Sequence, residues 1–182
     1  SRAHEQHGDM ALDLARLISN LIRNGTVSAV DVDAERCRVT SGELTTNWIP
    51  WISLRAGTTR TWSAPSEGEQ VILLSPEGDT ANAVALLGLN SDAYPAPANK
   101  ADLHIVQHGD GGTLSYNETL HRYEINLPPG SKLAVIATGG IETTGSVAAA
   151  GNVSAGTGAS GSFTTATGQT VMVSDGVITN IY

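Results

Sequence analysis

The stretch TGGIETTGSVAAAGNVSAGTGASG, Thr138 to Gly161, decides how the whole chain is to be folded. Of its 24 residues, 19 are Gly, Ala, Ser or Thr, so it has too little bulk to build an interior alone. Its few larger residues nonetheless keep step: Val135, Ile141, Val147 and Val153 recur every six positions, and Ala159 continues the phase. An even spacing puts such residues on one face of an extended strand. One branched apolar residue per hexad among small ones is the texture of a β-helix, in which each rung turns one side chain inward. A single-chain β-helix needs about three hexads for every coil, which this segment could not supply. Three intertwined copies remove the shortage. The Val/Ile stripes meet on a common axis, and strand edges vanish into intermolecular pairing.

Outward from this stretch, the fifty residues after Lys132 hold only Glu142 and Asp175 as charges and no proline. Disordered segments keep charge or proline, so an ordered shaft is expected. Phe163, the sole phenylalanine, joins Val135, Ile141, Val147 and Val153 as a candidate for the trimer core. The closing FTTATGQTVMVSDGVITNIY carries hairpin signals at Thr167-Gly168 and Asp175-Gly176, so the chain is expected to finish as a meander of short strands. Ile178, Ile181 and Tyr182 would then gather at a tip.

Upstream, between Thr26 and Leu89, the texture is different. Short apolar runs, TVSAVDV, RCRVT, WIPWISL, EQVILL and AVALLGL, are separated by turn-forming residues, among them Ser41-Gly42 and Pro76-Glu77-Gly78-Asp79. Five short strands of this kind fit a small barrel of the OB type. Trp48, Trp51 and Trp62 all fall here, so the ordinary hydrophobic core is expected in this region and nowhere else.

Before the barrel, Leu14, Leu17, Ile18, Leu21 and Ile22 stand at helical spacing, with Asp9 as a candidate cap and Asn24-Gly25 as a candidate stop. After it, SDAYPAPANKAD, Ser91 to Asp102, reads as a linker, and LHIVQH, TLSYN and HRYEINL read as strands that Pro128-Pro129-Gly130 ends. The expected organisation is thus a flexible start (1–9), an amphipathic helix (10–24), an OB-fold domain (25–95), a linker with connecting strands (96–130), and a trimeric β-helical spike with its tip (131–182). The fold class is mainly β.

Several functions are disfavoured by composition. A formal net charge of -8 opposes a protein that tracks nucleic-acid phosphates. The lone Cys37 allows no disulfide within the chain and is expected to be inert. No apolar run reaches the ~18 residues of a membrane span, and the start lacks the apolar stretch of a signal peptide, so synthesis in the bacterial cytoplasm is expected. His104 and His108, four residues apart on a strand, are about 13 Å apart and cannot share an ion within one chain. Asp31 and Asp33 flank a turn, where solvated carboxylates are the simple reading. No phosphate loop or nucleophile elbow is present, so no enzyme and no cofactor are expected.

GTVSAVDVDAERCRV (25–39), TNWIPWISLRAG (46–57) and RTWSAPSEGEQVILL (60–74), followed by the LHI strand and its glycine turn, resemble the baseplate assembly protein V family. These are the central spikes of contractile phage tails and R-type pyocins. The likeness spans roughly Leu12 to Leu127, and the closing DGVITNI resembles endings of other phage spike chains.

Such a resemblance implies an OB domain docked on the tail tube or hub, with Leu14, Leu17, Ile18 and Leu21 as candidate hub-docking residues. It also implies a homotrimeric needle that pierces the bacterial outer membrane when the sheath contracts. The particle would be a virion or a released pyocin. Spikes of this family often end in a His-x-His pair that holds an axial metal ion. Here no His follows His121. The tip closes by apolar packing, or a separate small protein caps it. A trimeric receptor-binding fibre or adhesin, and an OB module for oligosaccharide or oligonucleotide, are the alternative readings.

Overall fold

A computed structural model describes residues 2–151, 153, 156, 158–174 and 176–182, with the backbone alone for residues 2–9 and 179. The chain divides into two compact units, residues 1–131 and 132–182. It is mainly β, with a single α-helix among the described residues.

The first unit opens with α1, Arg2–Leu21. The barrel strands follow as β1 (Ile22–Asp31), β2 (Arg36–Ser41), β3 (Leu44–Thr45), β4 (Gln70–Leu74) and β5 (Val84–Leu89). They form one antiparallel sheet in the order β3-β2-β1-β4-β5. The run WIPWISL, expected as a strand, is not one. Pro50 has no N–H to give to a ladder, so the segment pairs only at isolated residues. Those few bonds close the sheet. Ile49 exchanges two 2.9 Å backbone bonds with Cys37 of β2, while Pro50 O accepts from Ala85 N–H of β5 (3.0 Å) and Ile52 N–H donates to Ala85 O (2.9 Å). Because β2 and β5 are not neighbours in the sheet, the segment staples one side of it to the other.

Inside the staple lies the core: Val27, Cys37, Val39, Ile49, Val71, Leu73, Ala83 and Ala85, with Val30, Trp51 and Leu87 packed against it. These residues alternate along their strands, and the β2 pattern of half-buried and buried positions repeats three times. The indoles are not its centre. Trp48 and Trp62 are exposed, and aliphatic side chains fill the narrow interior instead. Cys37 is fully buried, and burial, then the charge of Glu69, pushes its thiol pKa up.

Both ends of the helix differ from the sequence reading. Its backbone is helical from Arg2 rather than from Met10, and the side chain of Asp9, the candidate cap, lies outside the described residues. The helix stops at Leu21, not at Asn24-Gly25. Residues Ile22 to Gly25 already pair with Leu74 to Val71 of β4. Gly25 serves a close approach: a Cβ there would stand 2.4 Å from Val39 Cγ1. Ser75 N–H donates to Leu21 O (2.9 Å), and Arg23 joins Asn20 Oδ1 to the Ser41 hydroxyl and carbonyl. The helix end is thereby tied to the barrel.

Beyond β5, the linker is partly anchored, since the Tyr94 hydroxyl donates to Glu67 O (2.8 Å). Then β6 (Leu103–Gln107), β7 (Thr113–Asn117) and β8 (Arg122–Asn126) form an antiparallel meander in sequence order, as the runs and turns predict. In the second unit, residues 132–151 contain neither helix nor strand. The unit ends in a second meander, β9 (Gly161–Thr164), β10 (Thr170–Ser174) and β11 (Val177–Ile181), in the order β11-β10-β9. Gly168 turns between β9 and β10 with φ +86°, and Gly176 precedes β11 with φ +78°. Asp175, the other half of that second turn signal, lies outside the described residues.

Candidate functional site

Among the described residues, the candidate functional surfaces are apolar faces that stand exposed. On α1, Met10, Leu14, Leu17, Ile18 and Leu21 fall within one stripe. Leu17 is half-buried where the helix crosses the 3-10 turn Pro76–Gly78. The crossing is tight, for a Cβ on Gly78 would lie 2.4 Å from Leu17 O. Leu14, Ile18 and Leu21 remain exposed. Of the four hub-docking candidates, three are therefore free for a partner and one is partly used by the barrel.

On the meander β6–β8, Tyr116 and Tyr123 are opposite each other, with ring centroids 6.2 Å apart, and both are exposed beside Val106 and Ile125. His104 Nε2 lies 2.7 Å from Glu118 Oε1 in an exposed pair. Among the described residues no three His, Cys, Asp or Glu side chains converge as metal ligands.

In the second unit, Val135, Ile141, Val147 and Val153 are all exposed, Ile141 at 72% and Val147 at 74%. The backbone around them is equally unsatisfied. Among described residues 132–151, the hydrogen bonds to the backbone are Gly140 N–H to Ala137 O (3.1 Å) and Thr143 Oγ1 to Gly145 O (3.3 Å). A run of amides and carbonyls without partners costs free energy wherever water is excluded, so this stretch is built to be paired from outside or left wet.

The distal meander does have a nucleus. Phe163, Val171 and Ile181 are cross-strand neighbours in one row, and Val171 between them is only 4% exposed. Phe163 thus packs within its own chain, while still half open. Tyr182 exchanges two backbone bonds with Thr170 (2.9 and 3.1 Å), so the ladder continues past β11. Ile178, Ile181 and Tyr182 all remain exposed.

One surface escaped the sequence reading. Trp51 and Trp62, with centroids 5.6 Å apart, flank a groove that Arg36, Arg55 and Arg60 also line. The signal was available: four arginines and three tryptophans lie within the 27 positions from Arg36 to Trp62 of an otherwise acidic chain.

A five-stranded antiparallel sheet entered from a helix and stapled across by residues 49–52 is the architecture of an OB domain. Residues 23–89 match the family described as the type VI secretion system/phage-baseplate injector OB domain, a range that coincides with β1 to β5. Over these residues the chain is similar to that family. The chain is also similar to the Spike protein of Escherichia phage P2, with 39% identity over 143 residues, 79% of this chain. It spans 61% of that relative's own length.

Proposed function

We propose that the chain is one subunit of a homotrimeric central spike, the structural and non-enzymatic tip of a contractile tail. In this reading the barrel and the exposed stripe of α1 dock on the tail tube or hub. The second unit, wound with two other copies into a β-helical needle, pierces the bacterial outer membrane when the sheath contracts. The particle is a phage virion or a released pyocin, and the spike is part of its baseplate.

The observation that carries this reading is the condition of residues 132–151. Their aliphatic side chains recur at a fixed interval, stand exposed in the single chain, and sit on a backbone with almost no hydrogen bonds of its own. Three copies supply both missing partners at once. The likeness to a phage Spike protein, which extends over most of the chain, points the same way.

A spike transmits force rather than lowering a chemical barrier. Its relevant stability is a slow unfolding rate under load, and intertwined strands provide it because no chain can leave singly. The near absence of charge after Lys132 fits passage through lipid, since few ionic groups need desolvation. The slim distal meander, with one tyrosine, offers little of the recognition surface that a receptor-binding fibre would carry. Light scattering on the purified protein tests the assembly. The expected mass is about 56 kDa, three times the chain's 18.8 kDa. A clean monomer at micromolar concentration would discard the spike reading.

A further inference from the structure

The Trp51/Trp62 groove is a built site. Residues Arg55 to Thr61 fold into a small hairpin, fixed by Thr61 N–H to Arg55 O (3.0 Å), Arg55 N–H to Thr61 Oγ1 (3.1 Å) and Gly57 N–H to Thr59 O (3.1 Å). This hairpin holds Arg55 and Arg60 at the rim of a groove of about 650 Å³, large enough for several side chains. Among the described residues, Arg36, Arg55 and Arg60 form no ion pair. Arg36 donates instead to the carbonyls of Ala34 and Glu35. Glu35 is the one carboxylate on the lining.

Of the five described arginines without an ion pair, Arg23, Arg36, Arg38, Arg55 and Arg60, three line one groove beside the partly buried Trp51 and the exposed Trp62. Trp and Arg are the residue types that dominate binding energy at protein interfaces. Their complement is a segment that presents carboxylates next to a small apolar side chain. The β1–β2 turn of this protein is such a segment. Val32 is 55% exposed between Asp31 and Asp33, and Asp31 Oδ1 accepts from Ala34 N–H (2.9 Å), which stiffens the turn. Each copy also carries a net charge of -8, so copies brought together repel unless a cationic face meets an acidic one.

We propose that the groove of one copy receives the Asp31–Glu35 turn of its neighbour, Val32 entering beside Trp51 and Trp62 and Asp33 pairing with Arg55 and Arg60. The contact is heterologous, and under the three-fold symmetry of the proposed trimer it closes into a ring. Glu35 belongs to the turn and also lines the groove, so the giving and receiving faces of one copy lie side by side. This inference rests on the trimer reading above but is tested separately from it.

The test is disulfide trapping in the full-length protein. Val32→Cys combined with Ala56→Cys, and as a second pair Val32→Cys with Ser53→Cys, should give covalent dimers and trimers under mild oxidation; buried Cys37 stays unreactive. Adding Arg55→Glu and Arg60→Glu should lower the yield roughly tenfold, and Asp33→Arg should restore it. Mass is measured in parallel on unoxidised samples. A trimer in which neither pair cross-links overturns the groove contact and leaves the trimer standing. If its tryptophan emission then shifts on addition of poly-glutamate, the groove belongs to another protein and the proposal likewise fails. A monomer overturns the trimer itself.

Discussion

The barrel and the shaft meet the same physical demand in opposite ways. Between Ile22 and Leu89 the chain buries eight hydrophobic side chains in one cluster and pairs its strands internally, even recruiting a proline-broken segment to close the sheet. Between Lys132 and Tyr182 the described residues bury one, Val171, and the Val/Ile series stays outside. Both regions are regular, but with different periods. They differ in volume: the barrel alternates branched residues every second position, while the shaft offers one per six with Gly, Ala, Ser and Thr between them. A sequence of the first kind can finish its interior within one chain; under the proposed trimer, a sequence of the second kind defers it to assembly.

Four substitutions break or sharpen that contrast. The largest effect is expected for Val147→Asp. Three carboxylates forced together in an apolar channel cannot be paired, so the mass by light scattering should fall from about 56 to the single-chain 18.8 kDa while the barrel stays folded. Unchanged assembly would show the inward register to be wrong. Next comes Leu73→Ala, which deletes a fully buried side chain. It should cost about 2–5 kcal/mol in denaturant unfolding of the barrel, with the trimer mass retained.

A smaller effect is expected at the crossing of α1. Gly78→Ala forces a methyl group into the Leu17 backbone at a position with φ +74°. Overpacking of this kind costs about 1–3 kcal/mol, and proteolysis should release the helix before the barrel unfolds. The smallest change is Tyr94→Phe. It removes one exposed hydrogen bond to Glu67 O, so barrel stability should fall by about 0.5–1.5 kcal/mol or less, measured by the same denaturant titration.

Much of this architecture was legible in the residues because local pattern and tertiary pairing agree. The runs of β1, β2, β4 and β5, the meander β6–β8 and the closing meander all stand near where alternation and turn residues put them. The misreadings occurred where a long-range contact overrode a local signal. Asn24-Gly25 has the chemistry of a helix stop, yet β4 captures that backbone and the glycine is needed under Val39. WIPWISL has strand composition, but Pro50 withholds its donor and leaves a staple. Polar, glycine-containing residues before Met10 carry no apolar period, so the early helix start was invisible. The Trp–Arg groove was missed for a different reason: tryptophans in a barrel sequence read as core, and only the packing reveals Trp62 turned outward at 59% exposure.

Hydrogen exchange across residues 132–151 of the intact protein is the most direct probe of deferred folding. If three chains knit this stretch into a needle, its amides exchange as slowly as those of β1 and β2, although one chain alone gives them almost no acceptors. Exchange at the rate of free peptide, with the barrel protected, would contradict the account.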